Sequence, residues 1–241
     1  MSANFEELDY QETPLGPVSL RRQRLKMLDD REIHEVKLGN DYLMSSLFTK
    51  VEEELARLGL AATTGEALDV VVGGLGLGYT AWTALAEPRV SSLIVVDYLQ
   101  PVIDWHQRGL VPLGPKLTAD PRCRFVHGDF FALAAADGAG FDPVQPQRQF
   151  DAVLLDIDHS PDHLLHPRHA HYYSADGLRE FTRLIRPGGV FGLWSDDPPE
   201  DAFLANLQSV FATVHTEVVA FPNPFLHRDS HSTVYVCKLA G

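Results

Sequence analysis

The sequence predicts an α/β fold: a doubly wound, mostly parallel sheet with an antiparallel C-terminal edge strand, preceded by a small N-terminal β-hairpin segment. Three observations carry this. From Leu68 onward, short apolar runs alternate with stretches of helical periodicity, as expected of strands covered by helices on both faces. The run at 70–80, VVVGGLGLGYT, turns through Gly73, Gly74, Gly76 and Gly78 directly into a helical pattern. A following run, LIVVD, ends on the acid Asp97.

In chain order, residues 1–45 stand outside the alternation. The stretches 17–26 and 31–39, separated by Asp29-Asp30, read as a small hairpin. Ser45 or Ser46 then caps a helix carrying Leu47, Val51, Leu55 and Leu58 at helical spacing, with Gly59 past its end. Strands are expected at 68–73, 92–97, 123–127, 151–156 and 189–194, and helices at 79–87, 100–109 and 175–186. A helix at 199–210 and two β-rich runs, 213–220 and 231–238, close the chain as an antiparallel hairpin. The Gly, Asp, Pro and Gln-rich stretch 137–149 reads as a surface loop. The expected division is a hairpin segment, 1–45, and one ligand-binding α/β domain, 46–241.

Composition narrows the function. Apolar content of 45% and charged content of 22% are those of a soluble globular protein. A net charge of −13 argues against a nucleic-acid groove, which needs a basic stripe, and favours small or cationic partners. Cys123 and Cys237 are the only cysteines, too few for a disulfide framework or a zinc ribbon. Without a long apolar run or a leader pattern, the expected location is the cytoplasm, away from membranes. A homodimer is compatible with everything read so far.

The glycines point to a nucleotide-sized ligand. They let the backbone approach a ligand closely, and the helix after them offers free N–H groups. An acid ending the next strand can hold two ribose hydroxyls. A dinucleotide fingerprint starting at Gly74 needs a small residue at position 79, where Tyr79 stands. The form present, Gly74-x-Gly76-x-Gly78, suits an adenosyl ligand without a pyrophosphate, such as S-adenosylmethionine.

The ordered series GGLGLG, VVD, HGDF, LLDIDHSPD and LIRPGG resembles the class I S-adenosylmethionine-dependent transferases, whose sheet is Rossmann-like. More narrowly it resembles their spermidine synthase (aminopropyltransferase) branch. The likeness covers roughly residues 66–196, with weaker support from Gln11-Glu12-Thr13-Pro14. It implies that Gly74, Gly76, Leu77 and Gly78 line the methionine portion of the donor. It implies too that Asp97, with Tyr98 beside it, takes the ribose, and that Asp129 and Phe130 meet the adenine. Asp156 corresponds to the acid opening the branch's Asp-x-x-Asp motif, which deprotonates the attacking amine; the second acid, Asp158, comes one position early.

Two departures bear on the reaction. The branch carries an acid inside the glycine loop, facing the ammonium of decarboxylated S-adenosylmethionine, where this chain has Leu77. Losing that charge-assisted contact costs about 1.5–3 kcal/mol. The branch also carries Tyr-His-Glu/Asp on the preceding helix, where this chain reads Lys50-Val51-Glu52-Glu53. The expectation drawn from the loop is methyl transfer from S-adenosylmethionine to a small, amine-bearing acceptor. The alternative is polyamine aminopropyl transfer from decarboxylated S-adenosylmethionine. A third reading is a protein that binds an adenosyl nucleotide without turning it over.

Asp156, Asp158 and His159 are the candidate catalytic residues, since a carboxylate can bind an ammonium or accept its proton and an imidazole titrates near neutrality. Asp156 as a mere strand-end residue and Asp129 as a helix cap ahead of FALAAA are the structural alternatives. His159, His163, His166, His169 and His171 crowd one segment; with Pro161 and Pro167 interrupting it, a polar lid is expected there rather than a metal site. The stretch Trp194-Ser195-Asp196-Asp197-Pro198-Pro199 ends a strand on the same rim and could contact substrate, while Asp196 or Asp197 could equally cap the next helix. Tyr172 and Tyr173 fit a pocket wall or the core equally.

Overall fold

The computed structural model describes residues 5–241. Four strands, β1 (Phe5–Thr13), β2 (Gly16–Leu25), β3 (Arg31–Leu38) and β4 (Asp41–Ser45), pair in that order as an antiparallel meander. The expected hairpin is its centre, β2 and β3, turned by Asp29 and Asp30 in the left-handed region. The meander turns Val18, Leu20 and Val36, neighbours on one face, into a core shared with the larger sheet.

Helix α1 (Lys50–Ala61) starts later than its serines suggest. Ser45 ends β4, and the Ser46 hydroxyl accepts the His34 N–H at 2.9 Å, so neither serine caps the helix. Thr49 stands at the N-cap, with its hydroxyl donating instead to Glu53.

The alternating part then unfolds as β5 (Leu68–Gly73), α2 (Tyr79–Ala86), β6 (Val90–Asp97), α3 (Gln100–Gln107), α4 (Gly114–Ala119), β7 (Cys123–His127) and α5 (Phe130–Ala134). It continues through β8 (Phe150–Leu155), a 3-10 segment (Pro167–Tyr173), α6 (Ala175–Thr182), β9 (Ile185–Ser195), α7 (Asp201–Gln208), β10 (Thr213–Asn223) and β11 (Arg228–Lys238). The sheet runs β10-β11-β9-β8-β5-β6-β7. Its five inner and far strands from β9 to β7 are parallel, and β11 and β10 add antiparallel to β9.

Both faces are covered, which is why the centre of β5, Val70–Val72, is apolar throughout. Val70 and Val72 join one buried cluster with Leu55 of α1 and Val102 of α3. Val71 joins the other with Phe131 of α5 and Phe181 of α6. Alternate side chains of one strand thus fill two cores.

The stretch 137–149 is only partly a surface loop. Phe141 is fully buried, and Asp142 pairs with Arg124 at 2.7 Å and Arg148 at 2.9 Å. Burial opposes ionisation of Asp142, yet these arginines and the Val144 and Gln145 N–H groups hold its carboxyl at about 2. Among the described residues, no helix is long and apolar enough to cross a membrane.

β5 bonds to β6 on one side and to β8 on the other, so the connections diverge at its carboxyl end. Ligands of open α/β sheets settle at such a divergence. Gly74, Asp97 and Asp156, each directly after or ending one of these strands, meet there.

Candidate active site

The glycine loop forms the floor of a cavity at this point. Gly74 (φ 93°) leans so close to the next strand that a Cβ would run into the Asp156 carbonyl oxygen. Gly76 (φ 47°) faces Met44 of β4, whose sulfur a Cβ would meet at 2.8 Å. Only glycine fits at position 74, and the left-handed backbone at 76 favours it. Gly78, also left-handed, stands at the N-cap of α2.

Asp97 ties the loop to β6. One carboxylate oxygen accepts the Leu75 N–H at 2.8 Å and the other the Leu99 N–H at 2.7 Å. Burial raises its pKa, and the backbone donors partly restrain the rise. Both oxygens keep a second lone pair for a ligand. Tyr98 lines the cavity beside it. Asp129 caps α5, a single oxygen accepting from the Phe131 and Ala132 N–H groups, and it lines the cavity with Phe130 and Phe131.

Asp156 continues β8, its N–H donating to the Gly73 carbonyl at 2.8 Å. Its carboxylate accepts the Thr80 hydroxyl at 2.8 Å, and desolvation pushes its pKa up to about 6. Glu52 of α1 lines the same cavity; desolvation, then the Asp156 charge, drive its pKa well above the usual range. Neither carboxylate has a lysine or arginine within ion-pair distance among the described residues. Two half-buried acids thus face one cavity without a basic partner.

Asp158, two residues on, is placed differently. Its side chain is fully buried and accepts from the Leu165 N–H at 2.7 Å, the Tyr173 hydroxyl at 2.8 Å and His169 Nδ1 at 2.9 Å. It is the hub that folds 157–173 over the cavity, and its carboxylate does not reach the wall. His159 does line the cavity, and its carbonyl accepts the Asp196 N–H at 2.7 Å. The histidines of this segment diverge: His159 lies against His163, His169 stacks on Phe131 with ring centroids 4.1 Å apart, and His171 approaches Glu180 at 3.4 Å.

Other expectations resolve plainly. Leu77 is fully buried in the core, with its N–H donating to the Met44 sulfur at 3.1 Å; of the expected loop positions Gly74 and Gly76 line the cavity, and Leu77 and Gly78 do not. Neither Asp196 nor Asp197 caps α7, whose N-cap is Glu200. Tyr173 belongs to the core, and Tyr172 packs on Phe131 at 5.0 Å. Sequence reasoning did not anticipate the contribution of the N-terminal meander, which walls the cavity with Leu15, Val36, Leu38, Leu43 and Met44. Nor did it assign Thr80, Glu52 or Arg168 to the site. Glu52 was visible only as a residue on an otherwise divergent helix.

No protein-family model matches the chain. Over 159 residues it is 28% identical to a polyamine aminopropyltransferase of Nitrosomonas europaea, a stretch covering 64% of this chain and 45% of that relative. Its backbone aligns over 96% of its length with spermidine synthase from Thermotoga maritima, at a TM-score of 0.72 and 14% identity, covering 72% of that chain. It shares the fold of spermidine synthase. A spermidine synthase in complex with the transition-state analogue AdoDATO aligns similarly, with a TM-score of 0.71 and 15% identity over 96% of this chain and 73% of that one. The match to the curated relative spans less than half of that protein's length. The alignment over 96% of the chain takes in both parts seen here: the four-stranded N-terminal meander and the α/β sheet with its antiparallel C-terminal strands.

Proposed function

We propose that this protein transfers an alkyl group from an adenosyl sulfonium to an amine, in the manner of an aminopropyltransferase using decarboxylated S-adenosylmethionine. Residues 46–241 serve as the transferase domain and the N-terminal meander as a wall of its site. The observation that carries this reading is the unneutralised pair in one cavity, Asp156 at the carboxyl end of β8 and Glu52 of α1. An ammonium held there is desolvated beside two carboxylates, one of which can take its proton. The freed nitrogen lone pair attacks the carbon attached to sulfur; a C–N bond forms, the C–S bond breaks, and its electron pair stays on the neutral thioether. Asp156 receives the proton, with Thr80 orienting its carboxylate. Asp97 and Asp129 bind the ribose and adenine ends. His159 stands on the wall as a second proton-accepting group.

Relatives favour aminopropyl over methyl transfer. One observation keeps methyl transfer as the second reading: positions 75–77 of the loop are Leu, Gly and Leu, without an acid for the ammonium of a decarboxylated donor. The coproduct separates the two whatever the acceptor. Incubation with each donor and an amine panel, read by mass spectrometry, yields methylthioadenosine for aminopropyl transfer and S-adenosylhomocysteine for methyl transfer. Aminopropyl transfer predicts methylthioadenosine from the decarboxylated donor. Neither coproduct above the rate without enzyme would contradict both readings and leave a binding protein.

A further inference from the structure

The lid side of the cavity carries the opposite chemistry to its floor. Arg168 is the only lysine or arginine among the described residues lining the cavity. No carboxylate of a described residue lies within ion-pair distance of it, whereas Arg148 and Arg186, for example, each hold two. Its guanidinium Nε meets His166 Nδ1 at 3.4 Å, and its backbone N–H donates to that same atom at 3.2 Å. Accepting at Nδ1 leaves the His166 proton on Nε2, a second donor on the cavity wall. The acids of the segment cannot neutralise this pair: Asp158 is bound to three internal partners, and Asp162 associates with Glu200.

A substrate carrying only ammonium groups is served by Glu52 and Asp156 but meets an unpaired guanidinium across the cavity. Arg168 is exposed at the cavity rim, where its planar guanidinium is free to pair bidentately with a ligand carboxylate. We propose that the substrates of this site include a carboxylate, received by Arg168 and the Nε2–H of His166, in addition to the cation held by Glu52 and Asp156. This rests on the transferase reading above and narrows it. The carboxylate belongs either to the donor, as in S-adenosylmethionine, or to the acceptor, as in an amino acid bearing a side-chain amine.

Two probe pairs differ by that group alone: S-adenosylmethionine against its decarboxylated form, and ornithine against putrescine with methylthioadenosine present. Calorimetry on the full chain should show at least one pair in which the carboxylate member binds about tenfold more tightly or better. Arg168→Gln with wild-type circular dichroism should erase that preference, and Arg168→Lys should retain part of it. A preference in the first pair assigns the carboxylate to the donor, and in the second to the acceptor. Equal affinities within both pairs, or a preference that survives Arg168→Gln, overturns the proposal. If methylthioadenosine and both donors all fail to bind, the adenosyl-transferase reading itself falls, and the carboxylate site with it.

Discussion

Asp156 and Asp158 are two residues apart in one motif, and they belong to two differently built regions. The floor of the cavity is made by backbone: strand ends, left-handed glycines and carboxylates placed by the sheet ladder, as when Asp156 bonds back to Gly73. The lid is made by side chains converging on one buried carboxylate, Asp158, which gathers Leu165, His169 and Tyr173. The floor acid faces the cavity with one hydroxyl partner and an elevated pKa; the lid acid is fully enclosed by donors. Acids side by side in sequence thus divide into one available for chemistry and one committed to shape. What decides is how many protein donors each carboxylate already satisfies.

The largest effect should separate these acids. Asp156→Asn keeps the shape but removes the proton acceptor, so turnover should fall about 10²–10⁴-fold with little change in adenosyl affinity. Stability should move the other way. The folded-state pKa of about 6 exceeds the ordinary value of 3.8, so between these values the folded protein binds more protons than the unfolded chain. Stability is therefore lost as pH rises through that window, and Asp156→Asn should melt higher than wild type at neutral pH. A variant both slow and less stable would mark Asp156 as structural.

Next in size is the donor end of the floor. Asp97→Ala removes acceptors for two ribose hydroxyls, each such bond worth about 1.5–3 kcal/mol, so affinity for methylthioadenosine should fall at least about tenfold by calorimetry. Unchanged affinity in a folded variant would misplace the nucleotide. The smallest effect belongs to the lid. Asp158→Asn leaves one acceptor oxygen for three donors, a local cost of about 1–3 kcal/mol. Hydrogen exchange should accelerate across 159–173 and stay unchanged in the glycine loop; uniform acceleration, or none, would contradict a separate lid hub.

This division also explains what could be read in the sequence. Strand ends and glycines follow from apolar runs and turn chemistry, so the positions of Gly74, Gly76, Asp97, Asp129 and Asp156 around one cavity were legible. Side-chain direction was not. Left-handed Gly76 and Gly78 bracket Leu77, which is buried in the core, so a residue read as facing the donor does not line the cavity. In the meander, β1 hid because FEELDYQET exposes most of its side chains, and β4 because it has only five residues. Helices α4 and α5, six and five residues long, are too short to show a period. Ser45 and Ser46 resembled caps, but their hydroxyls accept from Leu47 and His34. Glu52 meets Asp156 only through the packing of α1 on the sheet, which no local pattern encodes.

The central claim is that the Glu52–Asp156 floor takes the proton of the attacking amine. The most direct measurement is the pH dependence of coproduct release, from about pH 5 to about pH 8, in wild type and Asp156→Asn. A group with a pKa of about 6 that must be ionised to accept a proton gives a rate that rises through that pH and levels above it. The account predicts this limb in the wild type and its disappearance from the residual activity of the variant. A wild-type profile flat across the range, or the same limb persisting in Asp156→Asn, would contradict it.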